Sequence, residues 1–216
     1  MAVQRGATGV RKIDGLGTTG LQPPLRRATK EDGRALAELT EFAGGGIPGY
    51  LWSQQAKEGQ PPIEVGIERV SREDANFSYR NAVVAEADDR VAAMMLVYRL
   101  PEEQDDTDLD ELPDLLRPLV ELELRVPGSF YINALATYPE YRGLGLGTKL
   151  LEAAHILATE AGCEKLSLEV FNQNEAAVRL YEHHGFQAVA RLAVEPHPSH
   201  PYEGDVVLMT RKVSNG

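Results

Sequence analysis

Three glycines, Gly143, Gly145 and Gly147, mark the stretch of this sequence that is best suited to hold an anion. They come after a predicted strand that is broken at Pro139, and they open a predicted helix. Such a turn gathers backbone N–H groups at the start of a helix, where they lack intrahelical partners and the helix dipole favours negative charge. The turn is a candidate cradle for a phosphate or a pyrophosphate. An ordinary tight connection explains the glycines about as well.

Two common nucleotide-binding patterns are missing from this turn. No Lys-Ser or Lys-Thr pair follows the glycines, as a P-loop would require. The spacing also lacks the G-x-G-x-x-G pattern of dinucleotide-binding folds. These absences disfavour a nucleoside triphosphate or a dinucleotide as the anion.

A second set of residues lies on a predicted helix further along the chain. Asn174 is a good N-cap for this helix, and Gly185 with Phe186 is typical of a Schellman-type helix end. In that geometry the ring of Phe186 packs back against Tyr181. The sequence therefore fixes where the Tyr181 side chain lies.

The two sets of residues together resemble the GNAT acetyltransferase superfamily. Residues Arg142 to Gly147 fit the acyl-CoA signature R-x-x-G-x-G of that family, and Leu135-Ala136-x-x-Pro139 precedes them. Residues Asn174 to Phe186 fit its second motif, N-x-x-A-x-x-L-Y-E-x-x-G-F. The matching region runs from Tyr131 to Phe186. Either motif alone is suggestive, whereas the pair at this separation is a strong indication of the family.

The resemblance implies acetyl-CoA as the cosubstrate and no metal. Backbone N–H groups from Leu144 to Thr148 would hold the pyrophosphate, with Arg142 beside them. The pantetheine arm would pair with Leu135 to Thr137, where the family fold opens a V between its fourth and fifth strands. The N–H of Leu135 would polarise the thioester carbonyl. The implied cofactor-binding residues are Leu135, Ala136, Thr137, Arg142, Gly143, Leu144, Gly145, Leu146, Gly147, Thr148, Asn174 and Tyr181.

Acyl transfer to an amine also needs a proton for the departing thiolate and an amine in its neutral form. By resemblance, the hydroxyl of Tyr181 would be the general acid. Glu169 is the candidate general base, because its spacing of twelve residues before Tyr181 is similar to that in relatives of the ribosomal-protein N-terminal alanine acetyltransferase. An outward-facing strand carboxylate explains Glu169 equally well. Tyr131 and Asn133 lie in the fourth strand, but neither is a convincing base.

The acceptor side of the site is less well defined. In this family the loop before the last strand commonly borders the acceptor pocket, so several polar residues are candidates for substrate contact. They are Asn133, Tyr202 and Glu203, together with His197 and His200. The two histidines have H-x-x-H spacing without an evident third ligand nearby, so we expect no metal site. Cys163 has no evident His or Asp partner, which disfavours a covalent acetyl-cysteine route.

Charge and hydropathy exclude some classes of partner. The formal net charge of −11 disfavours nucleic acid, which requires many Lys and Arg side chains to replace its counterions. No apolar run is long enough for a membrane helix, and the first thirty residues lack the apolar segment of a signal peptide. We therefore expect no membrane partner and a cytoplasmic location.

A segment from Pro101 to Glu123 is strongly acidic, with ten Asp and Glu residues against one Arg. Its leucines have roughly helical spacing, but Pro113 and Pro118 interrupt the pattern. Two interpretations remain open. The segment is either an acidic rim that attracts an amine or the solvated face of an insertion packed by its leucines.

An α/β framework is needed to position these residues. The resemblance implies the GNAT acyltransferase fold: a mixed, mostly antiparallel central sheet of about seven strands, splayed between strands 4 and 5 and flanked by helices. We expect a flexible tail over residues 1–24 and a single domain over 25–216, with an acidic insertion at about 101–123. Predicted strands cover 25–28, 81–86, 90–100, 130–137, 165–170, 186–195 and 205–212. Predicted helices follow Thr29 and Pro62 and cover 50–57, 145–161 and 175–184.

The predicted function is N-acetyl transfer from acetyl-CoA to a primary amine by direct attack in a ternary complex. The alternative is a non-catalytic acyl-CoA-binding sensor or interaction module, against which the presence of Tyr181 counts. An acidic protein with an acidic insertion favours a cationic acceptor, although solubility explains an acidic surface at least as well. The spacing of Glu169 and Tyr181 instead favours protein N-termini. Family members often dimerise through their late strands, so a homodimer is a further expectation.

Overall fold

The computed structural model describes residues 21–103 and 108–213. Its strands are β1 (Leu25–Arg27), β2 (Ala82–Ala87), β3 (Arg90–Arg99), β4 (Phe130–Thr137), β5 (Lys165–Phe171), β6 (Gln187–Val194) and β7 (Gly204–Lys212). Its helices are α1 (Gly33–Ala43), α2 (Ile47–Ser53), α3 (Pro62–Val70), α4 (Arg117–Glu123), α5 (Leu146–Glu160) and α6 (Glu175–His183). The predicted order of strands and helices is confirmed.

The strands form a seven-stranded sheet in the order β1-β2-β3-β4-β5-β7-β6. β4 and β5 are parallel, whereas β1 with β2, β2 with β3, β5 with β7 and β6 with β7 are antiparallel. The predicted mixed and mostly antiparallel sheet is therefore confirmed. The parallel ladder between described residues of β4 and β5 ends at the pair Ile132 and Leu168, so the predicted splay begins there.

The described chain divides into two compact units. Unit 1 comprises the described residues up to Val97 together with Ala134–Ala153. Unit 2 comprises Tyr98–Asn133 and the described residues from Ala154 onward. The two boundaries in the second half of the chain fall inside β4 and α5. The prediction of a single domain stays a prediction.

The hairpin of β2 and β3 lies in unit 1. Its turn residues Asp88 and Asp89 have φ angles of 51° and 57°, the left-handed conformation that a two-residue type I′ turn requires. The hairpin predicted from this Asp pair is confirmed.

The helices of unit 1 pack around a tryptophan. Ala37 and Val65 contact Trp52, which is 4% exposed. A Cβ at Gly66 would lie 2.7 Å from the Trp52 ring, so only glycine fits this close approach.

The second helix starts earlier than the sequence predicts. Residues Tyr50 to Lys57 are predicted to be helical, whereas α2 covers Ile47–Ser53. The preceding Gly46 has a left-handed φ of 91°, which ends the glycine run and lets the helix begin at once. Pro48 then lies in the first turn, where its missing N–H costs no hydrogen bond. The predicted start was wrong because the run of three glycines does not show which of them adopts the left-handed conformation.

The acidic insertion lies in unit 2 and is packed by its leucines. Leu112, Leu115 and Leu122 are buried, and α4 contacts β6 and β7. The segment is not one helix, because a short 3-10 turn at Leu109–Glu111 is followed by the separate α4, which has Pro118 in its first turn. Residues 104–107 of the insertion lie outside the described residues. Packing by the leucines is thus observed, and it does not decide between the acidic rim and the solvated face.

Part of the sequence prediction falls outside the described chain. Residues 1–20 of the predicted flexible tail belong to that part. None of the helices in the described chain is both long and apolar enough to span a lipid bilayer. The cytoplasmic location stays a prediction.

Candidate active site

The glycine turn in unit 1 is open, and its backbone adopts the left-handed conformation at two glycines. Gly143 and Gly145 have φ angles of 80° and 75°, which L side chains rarely adopt. A Cβ at either position would meet nothing within 4 Å, so backbone conformation and not crowding requires glycine here. Leu144 between them is 59% exposed, while Leu146 is buried and anchors the start of α5. An exposed turn at the start of a helix suits an anion.

Hydrogen bonds hold the connection between the end of β4 and this turn. The N–H of Tyr138 donates to the carbonyl of Ala92 at 2.9 Å, and a short 3-10 turn follows at Pro139–Tyr141. Arg142 is exposed, and its Nε donates to the carbonyl of Thr137 at 3.4 Å. The guanidinium therefore lies at the junction of the strand and the glycine turn.

Tyr138 also anchors α1 within unit 1. Its hydroxyl donates to Oε2 of Glu38 at 2.7 Å, and its ring meets the exposed Phe42 edge-on, with centroids 5.9 Å apart. Burial and this contact with the Glu38 carboxylate raise the pKa of Tyr138, so its hydroxyl stays a donor. This Tyr-Glu hydrogen bond has a counterpart in unit 2.

Helix α6 in unit 2 has both ends that the sequence predicts. Oδ1 of Asn174 accepts a hydrogen bond from the N–H of Ala177 at 3.3 Å, which is N-capping. At the other end, the N–H of Phe186 donates to the carbonyl of Tyr181 at 3.0 Å, and Gly185 has a φ of 80°. These bonds form the Schellman motif, and the rings of Tyr181 and Phe186 lie 5.9 Å apart. Both predicted helix ends are confirmed.

Tyr181 is buried and stays protonated over the neutral pH range. Its side chain belongs to the core, with 7% of the residue exposed. Burial raises the pKa of Tyr181 to about 12 because the phenolate would lose its hydration. The phenol therefore keeps its proton at neutral pH.

Glu169 is held by a tyrosine from the neighbouring strand of unit 2. The hydroxyl of Tyr131 donates to Oε2 of Glu169 at 3.0 Å. Tyr131 is opposite Ser167 in the parallel ladder, and Glu169 is two residues further on, so both side chains lie on one face of the sheet. Sequence reasoning missed this contact and set Tyr131 aside. The alternation of side chains would have revealed the contact once the register of β4 against β5 was known.

The loop between β6 and β7 is fastened to the end of β5, also in unit 2. The ring of Phe171 stacks on Tyr202 with centroids 5.3 Å apart, and it lies 4.3 Å from the ring of His200. The N–H of Glu203 donates to Oε1 of Gln173 at 3.0 Å. Three of the predicted substrate contacts, His200, Tyr202 and Glu203, therefore lie on a loop that is held by aromatic packing and by this hydrogen bond.

The predicted site residues fall into two groups. Unit 1 contains Leu135, Ala136, Thr137, Arg142, Gly143, Leu144, Gly145, Leu146, Gly147 and Thr148. Unit 2 contains Asn133, Glu169, Asn174, Tyr181, Tyr202 and Glu203. Unit 1 thus contains the residues predicted to form the main-chain cradle, and unit 2 contains the side chains predicted for proton transfer and for the acceptor.

Two other chemistries find little support in the described chain. Cys163 is buried, and burial raises the pKa of its thiol, which disfavours the nucleophilic thiolate. Among residues 21–103 and 108–213, no three His, Cys, Asp or Glu side chains group closely enough to bind a metal ion.

Short stretches of the chain are similar to curated proteins. The chain is 42% identical over 62 residues to N-alpha-acetyltransferase 30 of Schizosaccharomyces pombe, covering 29% of this chain and 41% of that protein. It is 37% identical over 57 residues to thialysine N-epsilon-acetyltransferase of Mus musculus, covering 26% of this chain and 34% of that protein. The matches thus span less than half the length of these relatives.

The whole fold is similar to that of a solved structure. The protein yncA of Salmonella typhimurium, whose structure contains its cofactor acetyl-CoA, aligns with a TM-score of 0.57 and 17% identity. The alignment covers 89% of this chain and 94% of that one, and at this identity it shows a shared fold. The sequence model of the acetyltransferase (GNAT) family matches residues 51–186. Because that match extends over more than half of the sequence, the chain belongs to the acetyltransferase (GNAT) family.

Proposed function

We propose that the protein is an N-acetyltransferase that moves an acetyl group from acetyl-CoA directly to a primary amine in a ternary complex. The observation that carries this proposal is the buried Tyr181 held by the Schellman end of α6. A module that only binds acyl-CoA needs the glycine turn, but it does not need a buried proton donor at a fixed position.

The residues of unit 1 fit the donor substrate. Backbone N–H groups from Leu144 to Thr148, at the start of α5, suit the pyrophosphate of acetyl-CoA, and Arg142 adds a positive charge at the same turn. A local cradle is needed because a protein of net charge −11 does not attract anions over its whole surface. Leu135, Ala136 and Thr137 at the end of β4 would bind the pantetheine arm, with the N–H of Leu135 directed at the thioester carbonyl.

Proton transfers are assigned to side chains of unit 2. Acetyl-CoA supplies an activated thioester, and the remaining steps require a neutral amine and a protonated leaving group. Tyr181 keeps its proton at neutral pH and would supply it to the thiolate. Glu169 would accept the amine proton, either directly or through water. Asn174 would contact the pantetheine while it caps α6.

The acceptor is proposed to be a primary amine, and a cationic one. The names of the two relatives include an α-amine and an ε-amine acetyltransferase, so neither class of amine is favoured by them. The acidic surface of this chain favours a cationic acceptor. Asn133 is exposed on β4 and Tyr202 is held against Phe171, so these two residues with Glu203 are the proposed substrate contacts.

A panel of amines tests this function directly. The protein is incubated with acetyl-CoA and, in separate reactions, a polyamine, an aminoglycoside, a basic peptide with a blocked N-terminus and a peptide with a free N-terminus. Release of free thiol is followed in each case. We expect amine-dependent release with at least one acceptor class. Tight CoA binding without amine-dependent release of thiol with any acceptor would instead support the non-catalytic sensor.

The expected homodimer is tested separately, by sedimentation at the assay concentration.

A further inference from the structure

Tyr131 is buried in unit 2, yet it uses its only polar side-chain atom on a carboxylate. The residue is 3% exposed, and its hydroxyl donates to Oε2 of Glu169 at 3.0 Å. A buried hydroxyl without a partner is destabilising, so this bond also fixes the tyrosine. The contact joins side chains of two neighbouring strands that are 38 residues apart in sequence.

Glu169 lies where the support from β4 stops. The last parallel pair is Ile132 and Leu168, so Glu169 is one residue beyond the ladder. On its other side, the backbone of Glu169 pairs with Leu208 of β7. The pairing with β7 holds the strand at this residue, and the hydrogen bond from Tyr131 of β4 restrains the carboxylate.

The surroundings of Tyr131 keep its hydroxyl a donor. Its ring meets the ring of Tyr98 from β3 edge-on, with centroids 5.5 Å apart, which restricts ring rotation. The titratable groups that face it are Glu169 of β5, Glu123 of α4 and Tyr98. Burial and then the two carboxylates raise the pKa of Tyr131 well above its ordinary value, because a phenolate there would be poorly hydrated and repelled.

We infer that Tyr131 is a positioning residue that orients Glu169 for proton transfer from the amine. This inference rests on the proposed function, in which Glu169 is the base. Tyr131 does not take the proton itself. It holds one carboxylate oxygen in place and stabilises the charged form, the form that accepts a proton. Sequence reasoning considered Tyr131 only as a base, and therefore did not assign it this role.

A titration that needs no turnover tests the contact first. Glutamate carboxyl carbons are labelled with carbon-13, and the Glu169 signal is identified by its loss in Glu169→Gln. Removal of the donor in Tyr131→Phe is expected to move the titration midpoint of Glu169 up by about one pH unit, a tenfold change in the protonation equilibrium. Tyr138→Phe is the matched control, because it removes a Tyr-Glu hydrogen bond of the same kind from unit 1. An unmoved midpoint in Tyr131→Phe overturns the inference.

Kinetics then test the role in transfer. Tyr131→Phe is expected to lower kcat about tenfold with little change in KM for acetyl-CoA, and to move the acidic limb of the rate profile to higher pH. In the Glu169→Gln background the same change should cause no further loss, because both substitutions disable the same pair of side chains. An equal proportional loss in both backgrounds overturns the inference. Inactivity of the unaltered protein with every amine would overturn the proposed function, while the titration still decides whether Tyr131 holds Glu169.

Discussion

The glycine turn of unit 1 and the end of α6 in unit 2 offer hydrogen-bond donors in opposite ways. The turn is exposed and works through its main chain, with two glycines in the left-handed region and Leu144 59% exposed. At the end of α6 the donor is a side chain, and Tyr181 is 7% exposed. An anion must reach its donors from solvent, whereas a phenol keeps its proton best where its anion is poorly hydrated. The proposed binding site and the proposed proton donor therefore differ in burial, the first being exposed main chain and the second a buried side chain.

The largest effect on activity is expected when the hydroxyl of Tyr181, the proposed proton donor, is removed. Tyr181→Phe keeps the ring against Phe186 and removes only the hydroxyl, so the fold should be unchanged. Loss of a general acid typically lowers the rate by roughly 10²–10⁴, and we expect a fall in kcat of this size. The dissociation constant for CoA, measured by calorimetry, should stay within about twofold. Full activity of Tyr181→Phe would show that Tyr181 is not the general acid.

A smaller effect is expected in the glycine turn, where only main-chain groups are proposed to bind CoA. Gly145→Val places a β-branched residue at a φ of 75°, which costs about 1–2 kcal/mol and distorts the cradle. CoA binding should weaken at least ~10-fold. Gly59→Val is the matched control, since Gly59 has a φ of 76° with the same open surroundings and lies in the loop between α2 and α3. It should show the same loss of thermal stability with unaltered CoA affinity. Equal affinities in both variants would argue against the cradle.

The same contrast explains what the sequence could predict. The turn, the N-cap at Asn174 and the helix end at Gly185 were all predicted correctly, because each is encoded by residues a few positions apart whose types fix φ or supply a cap. The bond between Tyr131 and Glu169 depends on the register of two strands, which no local pattern encodes. The overall fold was predicted through the paired motifs, and the bounds of the strands followed from their apolar runs.

Other misses have the same physical origin. The packing of Phe171 with His200 and Tyr202 brings together a strand end and a loop, and neither segment alone signals the other. The early start of α2 depends on the left-handed Gly46, a choice that three adjacent glycines leave open. Contacts between distant segments could not be predicted from the sequence, and neither could a conformation that any of several adjacent residues could adopt.

The smallest expected effect separates two roles of one residue. Asn174 caps α6, and it is also proposed to contact the pantetheine. Asn174→Ala should lower the free energy of unfolding by about 1 kcal/mol, because the N–H of Ala177 loses its acceptor. Asn174→Asp keeps an acceptor at the N-cap, where a negative charge is also favoured by the helix dipole, so denaturant unfolding should show little loss.

The Asp variant then reports on the ligand alone. Its side chain lacks the amide donor of Asn174 and adds a negative charge, so a pantetheine contact predicts weaker binding of CoA at unchanged stability. If CoA affinity follows stability across both variants, Asn174 acts only as a cap. The region around α6 would then serve proton transfer through Tyr181 without holding the cofactor, and main-chain donors of unit 1 would carry the binding. If affinity falls in Asn174→Asp alone, side chains of unit 2 share in cofactor binding, and the contrast between the two regions is one of degree.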